Sequence, residues 1–287
     1  MKKNRRRIFK DRYDGRLVKT KDPFFRVIPH IMVKRCDSQV YFTDILDITK
    51  ADAMVKRLRA EGHTNLKLLN LIVAAYVRTV SQRPQINRFS IGRKIFARND
   101  ILVSMVLKKG MSVDSLETSI KVKYLPEDTI LDVMDKLNTE INKNKVVEEK
   151  NDTDLLVKFL NSLPNWFLHF VVGFLKISDN FGLMPKVINK LSPFHCSMFI
   201  TDLGSVGIEP IYHHIYDFGT TSMFIAFGVK TRDKDGKVTM TIKVVGDERI
   251  CDGYTYASSL KMFKRLIEHP EALLETPEKT FIDVCAY

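Results

Sequence analysis

Three groups of residues in the last third of the chain have side chains suited to proton transfer or to stabilising a negative charge. In residues 247–253, DERICDG, a strand pattern passes through an Asp-Gly turn into a helix pattern, and Glu248 could accept a proton there. His213 and His214 are adjacent, and the ordinary histidine pKa of about 6.5 suits a general base at neutral pH. Thr201 carries a hydroxyl that could donate or accept a hydrogen bond.

Each of these residues also has an ordinary structural role, and the sequence leaves both roles open. Glu248 could form only a salt bridge, Thr201 could be a simple strand residue, and the Asp-Gly pair could be a turn and helix cap. In an extended loop His213 and His214 would point to opposite sides, so at most one of them would serve as a base. His195, six residues before Thr201, is a more distant candidate.

Three stretches, in the same serial order, resemble the catalytic domain of the dihydrolipoyl acyltransferases of 2-oxoacid dehydrogenase complexes and its relative chloramphenicol acetyltransferase. The first is QVYFTDILDITKADAMVKRLRAEG at residues 39–62. The second covers residues 66–107 and includes the turn PQIN at 84–87. The third begins with SMFITDLG at residue 197 and ends near residue 275, after the DERICDG turn and its helix.

The resemblance implies both a fold and an assembly. It covers residues 25–145 and 195–275 and implies an α/β fold of the chloramphenicol acetyltransferase type, an α+β sandwich with a mixed sheet covered by helices. It also implies a homotrimer with active sites between subunits, acyl-CoA or CoA as co-substrate, a small-molecule acyl acceptor and no metal. Residues 1–24 would be a basic N-terminal arm, residues 25–287 the catalytic domain, and residues 146–194 a helical insertion that does not match the family.

The resemblance also implies roles for individual residues. Thr201 corresponds to the oxyanion donor, and Gly253 starts the helix after the motif. Asp252 corresponds to a carboxylate that positions the motif through a buried salt bridge, and Arg26 stands about where its partner is expected. Glu248 occupies the position of the catalytic histidine, which is a departure from the family pattern.

Glutamate is a weaker general base than histidine for this chemistry. A thiol has a pKa of about 8.5, a histidine about 6.5 and a glutamate about 4.3. Proton transfer to glutamate is therefore about 2 pKa units further uphill, which corresponds to ~3 kcal/mol or a factor of ~100 in rate. The resemblance therefore predicts a CoA-dependent acyltransferase acting on a small thiol, hydroxyl or amine, with Glu248, His213 or His214 as base. The alternative is a catalytically inactive homologue that binds a ligand or serves as a scaffold.

Hydrophobic periodicity predicts the elements that would position these residues. SQVYFTDILDIT alternates as a strand, and a helix capped by Thr49 is expected to end at Gly62. LKLLNLIVAAYVRTVSQRP is apolar nearly all round, which predicts a buried helix stopped by Pro84. Further helices are expected at 127–145 and 253–268. Further strands are expected in NRFSIGRKIFAR, DILVSMVLKKG, LETSIKVKYL, HCSMFITDLGS, SMFIAFGVKTR and KVTMTIKVVGDER.

Composition narrows the class of protein and its partners. The net charge is +12, but nine Lys/Arg and two Asp lie in the first 20 residues, which favours a solvated basic tail over a nucleic-acid interface. Four scattered cysteines without a C-x-x-C pair indicate neither zinc nor disulfides and favour the cytoplasm. The apolar run at 163–177 is shorter than the ~20 residues of a membrane span. It predicts a buried or surface-lying helix, and membrane contact by the arm or the insertion is the less favoured alternative.

Overall fold

The computed structural model shows a large sheet, a small sheet and a layer of helices. The residues that it describes are 10–19, 22–108, 117–145 and 160–286. The strands within them are β1 (Gly15–Leu17), β2 (Gln39–Asp47), β3 (Arg88–Ile91), β4 (Lys94–Arg98), β5 (Ile101–Lys108), β6 (Glu117–Tyr124), β7 (Met198–Asp202), β8 (Met223–Arg232) and β9 (Val238–Asp247). The helices within them are α1 (Pro23–Ile31), α2 (Thr49–Ala60), α3 (Leu68–Gln82), α4 (Ile130–Lys145), α5 (Asn165–Asn180), α6 (Lys186–Leu191) and α7 (Gly253–Glu268).

The large sheet is mixed and has the strand order β2-β9-β8-β7-β5-β6. β8 pairs in parallel with β7, and β7 with β5, while the other three pairs are antiparallel. The central strand β8 is buried on both faces over its first six residues, which explains its nearly continuous apolar sequence. The small sheet is antiparallel, with the order β1-β4-β3.

Helices α2, α3, α4 and α7 cover one face of the large sheet and enclose the main hydrophobic core. α3 packs against α4 and α7 and is buried along almost its whole length, as its apolar sequence predicts. α7 begins at Gly253 and ends at Glu268, as predicted. Thr49 is the first residue of α2 rather than its cap, and its hydroxyl donates to Asp47 Oδ1 at 2.7 Å. The predicted mixed sheet covered by helices is confirmed.

The opposite face of the large sheet is only partly covered. A small apolar cluster that includes Phe199, Phe224 and Ile215 lies on it, under the segment that connects β7 to β8. This segment returns so close to β8 that a side chain in place of Gly228 would collide with Pro210. We call the surface that carries Phe199 and Phe224 the open face.

Part of the basic N-terminal arm is structured, because β1 pairs with β4 and two carboxylates form ion pairs with Arg12. Gly15–Leu17 pairs with β4 as the edge strand of the small sheet. The buried guanidinium of Arg12 donates from Nε to Asp14 Oδ1 at 2.8 Å and from Nη2 to Asp179 Oδ1 at 2.7 Å. The predicted solvated tail is therefore wrong for the described residues 10–19, which include β1 and the buried Arg12.

The described part of the non-matching segment contains α5 and α6. α5 includes most of the apolar run predicted to be a buried or surface-lying helix, and it lies on the surface. Only Asp179 is buried along this helix, and there it binds Arg12 and His195. In the parts of the chain listed above, no helix combines the length and apolarity that crossing a bilayer would require.

Candidate active site

A buried ion pair fixes the turn that follows β9. Asp247 is fully buried and binds the Arg249 guanidinium through both carboxylate oxygens, at 2.8 and 2.7 Å. The Nε atom of Arg35 lies 3.6 Å from the same carboxylate, and burial lowers the pKa of Arg35. The Tyr256 hydroxyl donates to the backbone carbonyl of Asp247 at 2.7 Å. Because a buried charge needs a counter-charge, Asp247 holds both the turn and the start of α7.

Glu248 begins the short 3₁₀ turn after Asp247 and is exposed in the single chain. It lines a cavity of about 370 Å³ between β2 and α7. The cavity wall is mainly apolar and includes Phe42 and Cys251, and burial raises the pKa of the Cys251 thiol. Cys251 is therefore protonated at neutral pH and is not a nucleophile. A mainly apolar cavity with a carboxylate in its wall suits an apolar chain with a polar end.

Asp252 caps α7 and is exposed in the single chain. Its carboxylate accepts hydrogen bonds from the Thr255 backbone N–H at 2.8 Å and from the Thr255 hydroxyl at 2.7 Å. Partial burial acts to raise the pKa of Asp252, but these hydrogen bonds outweigh it and the pKa is lowered. Arg26 is exposed on α1. The buried salt bridge expected for Asp252 is thus absent from the described part of a single chain, and Asp247 supplies the buried ion pair of this turn instead.

Gly253 is the first residue of α7 and has no packing reason to be glycine within one chain. A Cβ atom at this position would meet no described atom within 4 Å, and its φ is not in the left-handed region. The residue lines the same cavity as Glu248. The space beside Gly253 is open to a ligand or to a second protein chain.

Thr201 lies near the end of β7, half-buried, with its side chain on the open face. Side chains alternate along a strand, and the preceding residue, Ile200, packs in the main core. Its register partner on β8 is Ala226. The strand ends in a turn where Asp202 Oδ1 accepts from the Ser205 N–H at 2.9 Å, and burial raises the pKa of Asp202.

His213 stacks on the open face with an unpaired nitrogen. Its ring lies parallel to Phe224, with centroids 4.4 Å apart and planes 11° apart. Its Nε2 atom is buried and has no hydrogen-bond partner among the described residues. Burial, and to a smaller extent His214, lowers the pKa of His213, so its imidazole is neutral at pH 7. A neutral ring with a free nitrogen is the form that a general base requires.

The other two histidines have different surroundings. His214 is exposed and packs edge-on against Tyr216 at 5.0 Å, on the other side of the extended loop from His213. His195 is fully buried, and both of its nitrogens are in use, Nδ1 at 2.8 Å from Ser192 Oγ and Nε2 at 2.9 Å from Asp179 Oδ2. His195 is therefore a structural residue in this chain.

The fold brings some of the candidate residues together and separates others. Phe224 pairs with Phe199, and Ala226 pairs with Thr201 two residues further along, so His213 and Thr201 share the open face. Glu248 lies instead at the cavity between β2 and α7, on the helix-covered side. Thr201 aligns through Ala226 of β8 with Lys243 of β9, and Glu248 lies five residues, or ~17 Å, further along the chain and two strands away, so a single chain does not place Glu248 against Thr201.

Sequence reasoning missed the residues that hold the motif. Asp247 and Arg249 stand inside DERICDG, and their Asp-x-Arg spacing at the end of a strand was an available signal. The sequence carries no comparable signal for Arg35, because 212 residues separate it from Asp247 and only the folded sheet brings them together. The stacking of His213 on Phe224 was likewise invisible without the pairing of β7, β8 and the loop between them.

The mixed sheet with helices over one face is the chloramphenicol acetyltransferase-like fold, which solved structures share. A probable dihydrolipoamide acetyltransferase from Listeria monocytogenes is similar, with a TM-score of 0.53 at 13% identity over 85% of this chain and 88% of its own. A truncated catalytic core of the 2-oxoacid dehydrogenase multienzyme complex from Thermoplasma acidophilum has a TM-score of 0.56 at 12% identity, over 88% and 98%. A chloramphenicol acetyltransferase has a TM-score of 0.54 at 10% identity, over 91% and 100%.

These similarities lie in the backbone rather than in the sequence. No protein-family model and no curated protein sequence matches the chain. Identities of 10–13% show a shared fold and leave the reaction open. The fold expected from the three sequence stretches is confirmed.

Proposed function

We propose that the protein transfers an acyl group from an acyl-CoA to a small thiol, hydroxyl or amine acceptor. The observation that carries this proposal is the free, buried Nε2 of His213 on the sheet face that also presents Thr201. The fold, which is that of acetyltransferases, supports it. The mainly apolar cavity beside Glu248 adds a second place for a chain-like substrate.

In the proposed reaction His213 is the base and Thr201 is the oxyanion donor. Nε2 of His213 takes the proton from the acceptor, whose sulfur, oxygen or nitrogen attacks the thioester carbonyl carbon. The carbonyl oxygen becomes an oxyanion that accepts a hydrogen bond from the Thr201 hydroxyl. The C–S bond then breaks, the CoA thiolate leaves, and it takes the proton back from His213. The products are the acylated acceptor and free CoA, and the base returns to its neutral form.

We propose that the site is completed by self-association into a homotrimer. The open face exposes large apolar side chains on the edge strand β2, including Tyr41 and Ile45, which are 58% and 62% exposed. The empty space beside Gly253 would accept a second chain or the substrate. If Glu248 takes part in the reaction, it must meet Thr201 from another copy. We place the reaction in the cytoplasm, where an exposed free thiol such as Cys36 stays reduced.

The test is release of CoA from acetyl-CoA, followed by chromatographic separation of the two, in the presence of thiol, amine and hydroxyl acceptors. We expect turnover by the wild type and a loss of about 100-fold or more in His213→Ala, because general-base catalysis contributes ~10²–10⁴. His214→Ala is the matched control, since it removes the adjacent histidine on the other side of the loop and should change little. Sedimentation should show a trimer, and a stable monomer at micromolar concentration would contradict the shared site.

The second candidate function is a ligand-binding or scaffold protein without catalysis. The observation that favours it is Glu248, a weaker base in place of the expected histidine. It predicts binding of CoA without turnover by any variant. Calorimetry with CoA, run on the same preparations, separates the two functions: binding with no CoA release from acetyl-CoA would replace the enzymatic proposal with this one.

A further inference from the structure

Helix α5 carries a continuous stripe of exposed apolar side chains. Its members recur every three or four residues, the spacing of one helix face. They are Trp166, Phe170, Phe174, Ile177 and, just after the helix, Phe181, which are 74%, 65%, 61%, 59% and 76% exposed. Leu168, Val171 and Leu175, on the other side of the helix, are half-buried against the protein. Single exposed apolar residues are ordinary, but a line of aromatic rings along one helix marks an interaction surface.

A second stripe of exposed apolar side chains lies on α1. Phe24, Val27 and Ile31 share one face of α1 and are 66%, 49% and 70% exposed. A groove of about 580 Å³ lies between the segment that follows α1 and the end of α5, and its lining includes Val33 on the first and Lys176 and Phe181 on the second. The C-terminal ends of the two striped helices therefore lead to one groove.

The groove carries an excess of positive charge. Of the six basic side chains that line it, Arg35 and Arg249 lie beside Asp247 and Lys176 pairs with Asp217. The other three, Lys34, Arg93 and Lys94, are exposed, and the second acid of the lining, Asp179, is occupied by Arg12 and His195. The surface thus combines exposed aromatic rings with uncompensated positive charge.

We propose that α1 and α5 dock this protein on the surface of an anionic lipid bilayer. Aromatic and aliphatic side chains insert at the boundary between headgroups and acyl chains, and nearby Lys and Arg bind acidic headgroups. α5 has 16 residues, a length of ~24 Å, so it lies on the bilayer rather than crossing the ~30 Å core. A second copy that met the same surface across a two-fold axis fits less well, because it would bring Lys34, Arg93 and Lys94 against like charges.

Trp166 provides a direct probe, since it is the only tryptophan in the chain. Its emission is measured for the full chain in buffer, with phosphatidylcholine vesicles, and with phosphatidylcholine vesicles that contain phosphatidylglycerol. We expect emission typical of exposed indole in buffer, a blue shift with the anionic vesicles, and a much smaller response to the neutral ones. Co-sedimentation with the same vesicles gives the partition coefficient.

Paired variants test the two halves of the surface separately. Phe170→Ser with Phe174→Ser should lower partitioning into anionic vesicles at least ~10-fold, since it removes two exposed rings from the stripe. The matched control is Tyr254→Ser with Phe281→Ser, which removes two exposed rings elsewhere and should leave partitioning unchanged.

Lys34→Gln with Lys94→Gln should lower partitioning into anionic vesicles by about 30-fold, because each lysine near an anionic surface strengthens binding to it. Lys234→Gln with Lys279→Gln is the matched control, as both lysines are exposed away from the groove.

Three outcomes would overturn the proposal. The first is no change of Trp166 emission with anionic vesicles. The second is equal binding to neutral and anionic vesicles, which would remove the role of the basic groove. The third is emission that is already blue-shifted in buffer and ignores vesicles, together with a lower sedimentation mass in the Phe170→Ser and Phe174→Ser variant, which would show that another copy of the chain covers the stripe. All variants replace exposed side chains, and circular dichroism confirms that each is folded.

Discussion

The turn after β9 and the loop after β7 hold their candidate bases in different ways. In the turn, Asp247 and Arg249 form the buried ion pair, while Glu248 is exposed beside a cavity. In the loop, His213 is stacked on Phe224 with a buried nitrogen that no described residue binds, and its pKa is lowered. The comparison teaches that a base is recognised by a free acceptor atom in surroundings that disfavour charge, rather than by its place in a motif.

The largest effect is expected for Asp247→Ala, which removes the anchor of the turn. Arg249 and Arg35 would lose their buried carboxylate and only the more exposed Asp217 would remain near Arg35, which costs about 3–5 kcal/mol of unfolding free energy. Urea denaturation with the midpoint and slope both fitted measures the change. A loss below about 1 kcal/mol would mean that water reaches this ion pair and that the turn is held by something else.

A smaller effect is expected for Asp252→Ala, five residues later in the same turn. In the single chain it removes only a helix cap, which is worth about 1 kcal/mol. The same denaturation experiment measures it beside Asp247→Ala. A loss of about 3 kcal/mol or more would show that Asp252 gains a buried partner in the assembled protein.

The pH dependence of activity should show that the pKa of His213 is lowered. The base acts when neutral, and because burial lowers its pKa, kcat/KM should fall to half of its plateau value only below pH 6.5, the pH at which an ordinary histidine would reach half. The same shift makes the folded state bind fewer protons than the unfolded state, so acidification from about pH 6.5 through the folded pKa should lower stability. CoA release from about pH 5 to about pH 8 gives the profile. A half-maximum at or above pH 6.5 would exclude a buried His213 as base.

The smallest effect is expected for Glu248→His. If His213 is the base, restoring the family histidine changes acyl transfer by no more than about threefold. If Glu248 is the base, the better proton acceptor should raise the rate to a thiol by up to ~100-fold. CoA release with dihydrolipoamide as acceptor separates the two outcomes. A large gain would assign the proton transfer to Glu248 in the turn rather than to His213 in the loop.

The sequence predicts the elements well because short-range patterns determine them. The alternation in β2, the apolar α3 and the limits of α7 follow from periodicity, turns and proline, and the structure confirms them. The resemblance also predicts the fold, because three stretches in the right order constrain the whole sheet.

The charge pairs could not be predicted from the sequence, because they depend on which elements meet in space. Arg12 binds the carboxylate of Asp179, which lies 167 residues further along the chain. The basic sequence around Arg12 predicts only a solvated arm, because it carries no information about Asp179. The apolar composition of α5 left its position open between the core and the surface. The contacts of its Asp179 with Arg12 and His195 decide it, since they hold the helix at one end and leave its apolar stripe exposed.

The ion pairs of Arg12 and Asp179 join three segments of the chain and so affect local unfolding. One guanidinium holds β1 through Asp14 and the end of α5 through Asp179, and Asp179 also holds His195, three residues before β7. These segments should therefore unfold locally as one cooperative unit. Native-state hydrogen exchange should give the amides of β1 and of the last turn of α5 the same opening free energy, and Arg12→Ala should lower both by the same amount. A cut that removes the arm would then also release the helix that bears Trp166, long before the large sheet loses its structure.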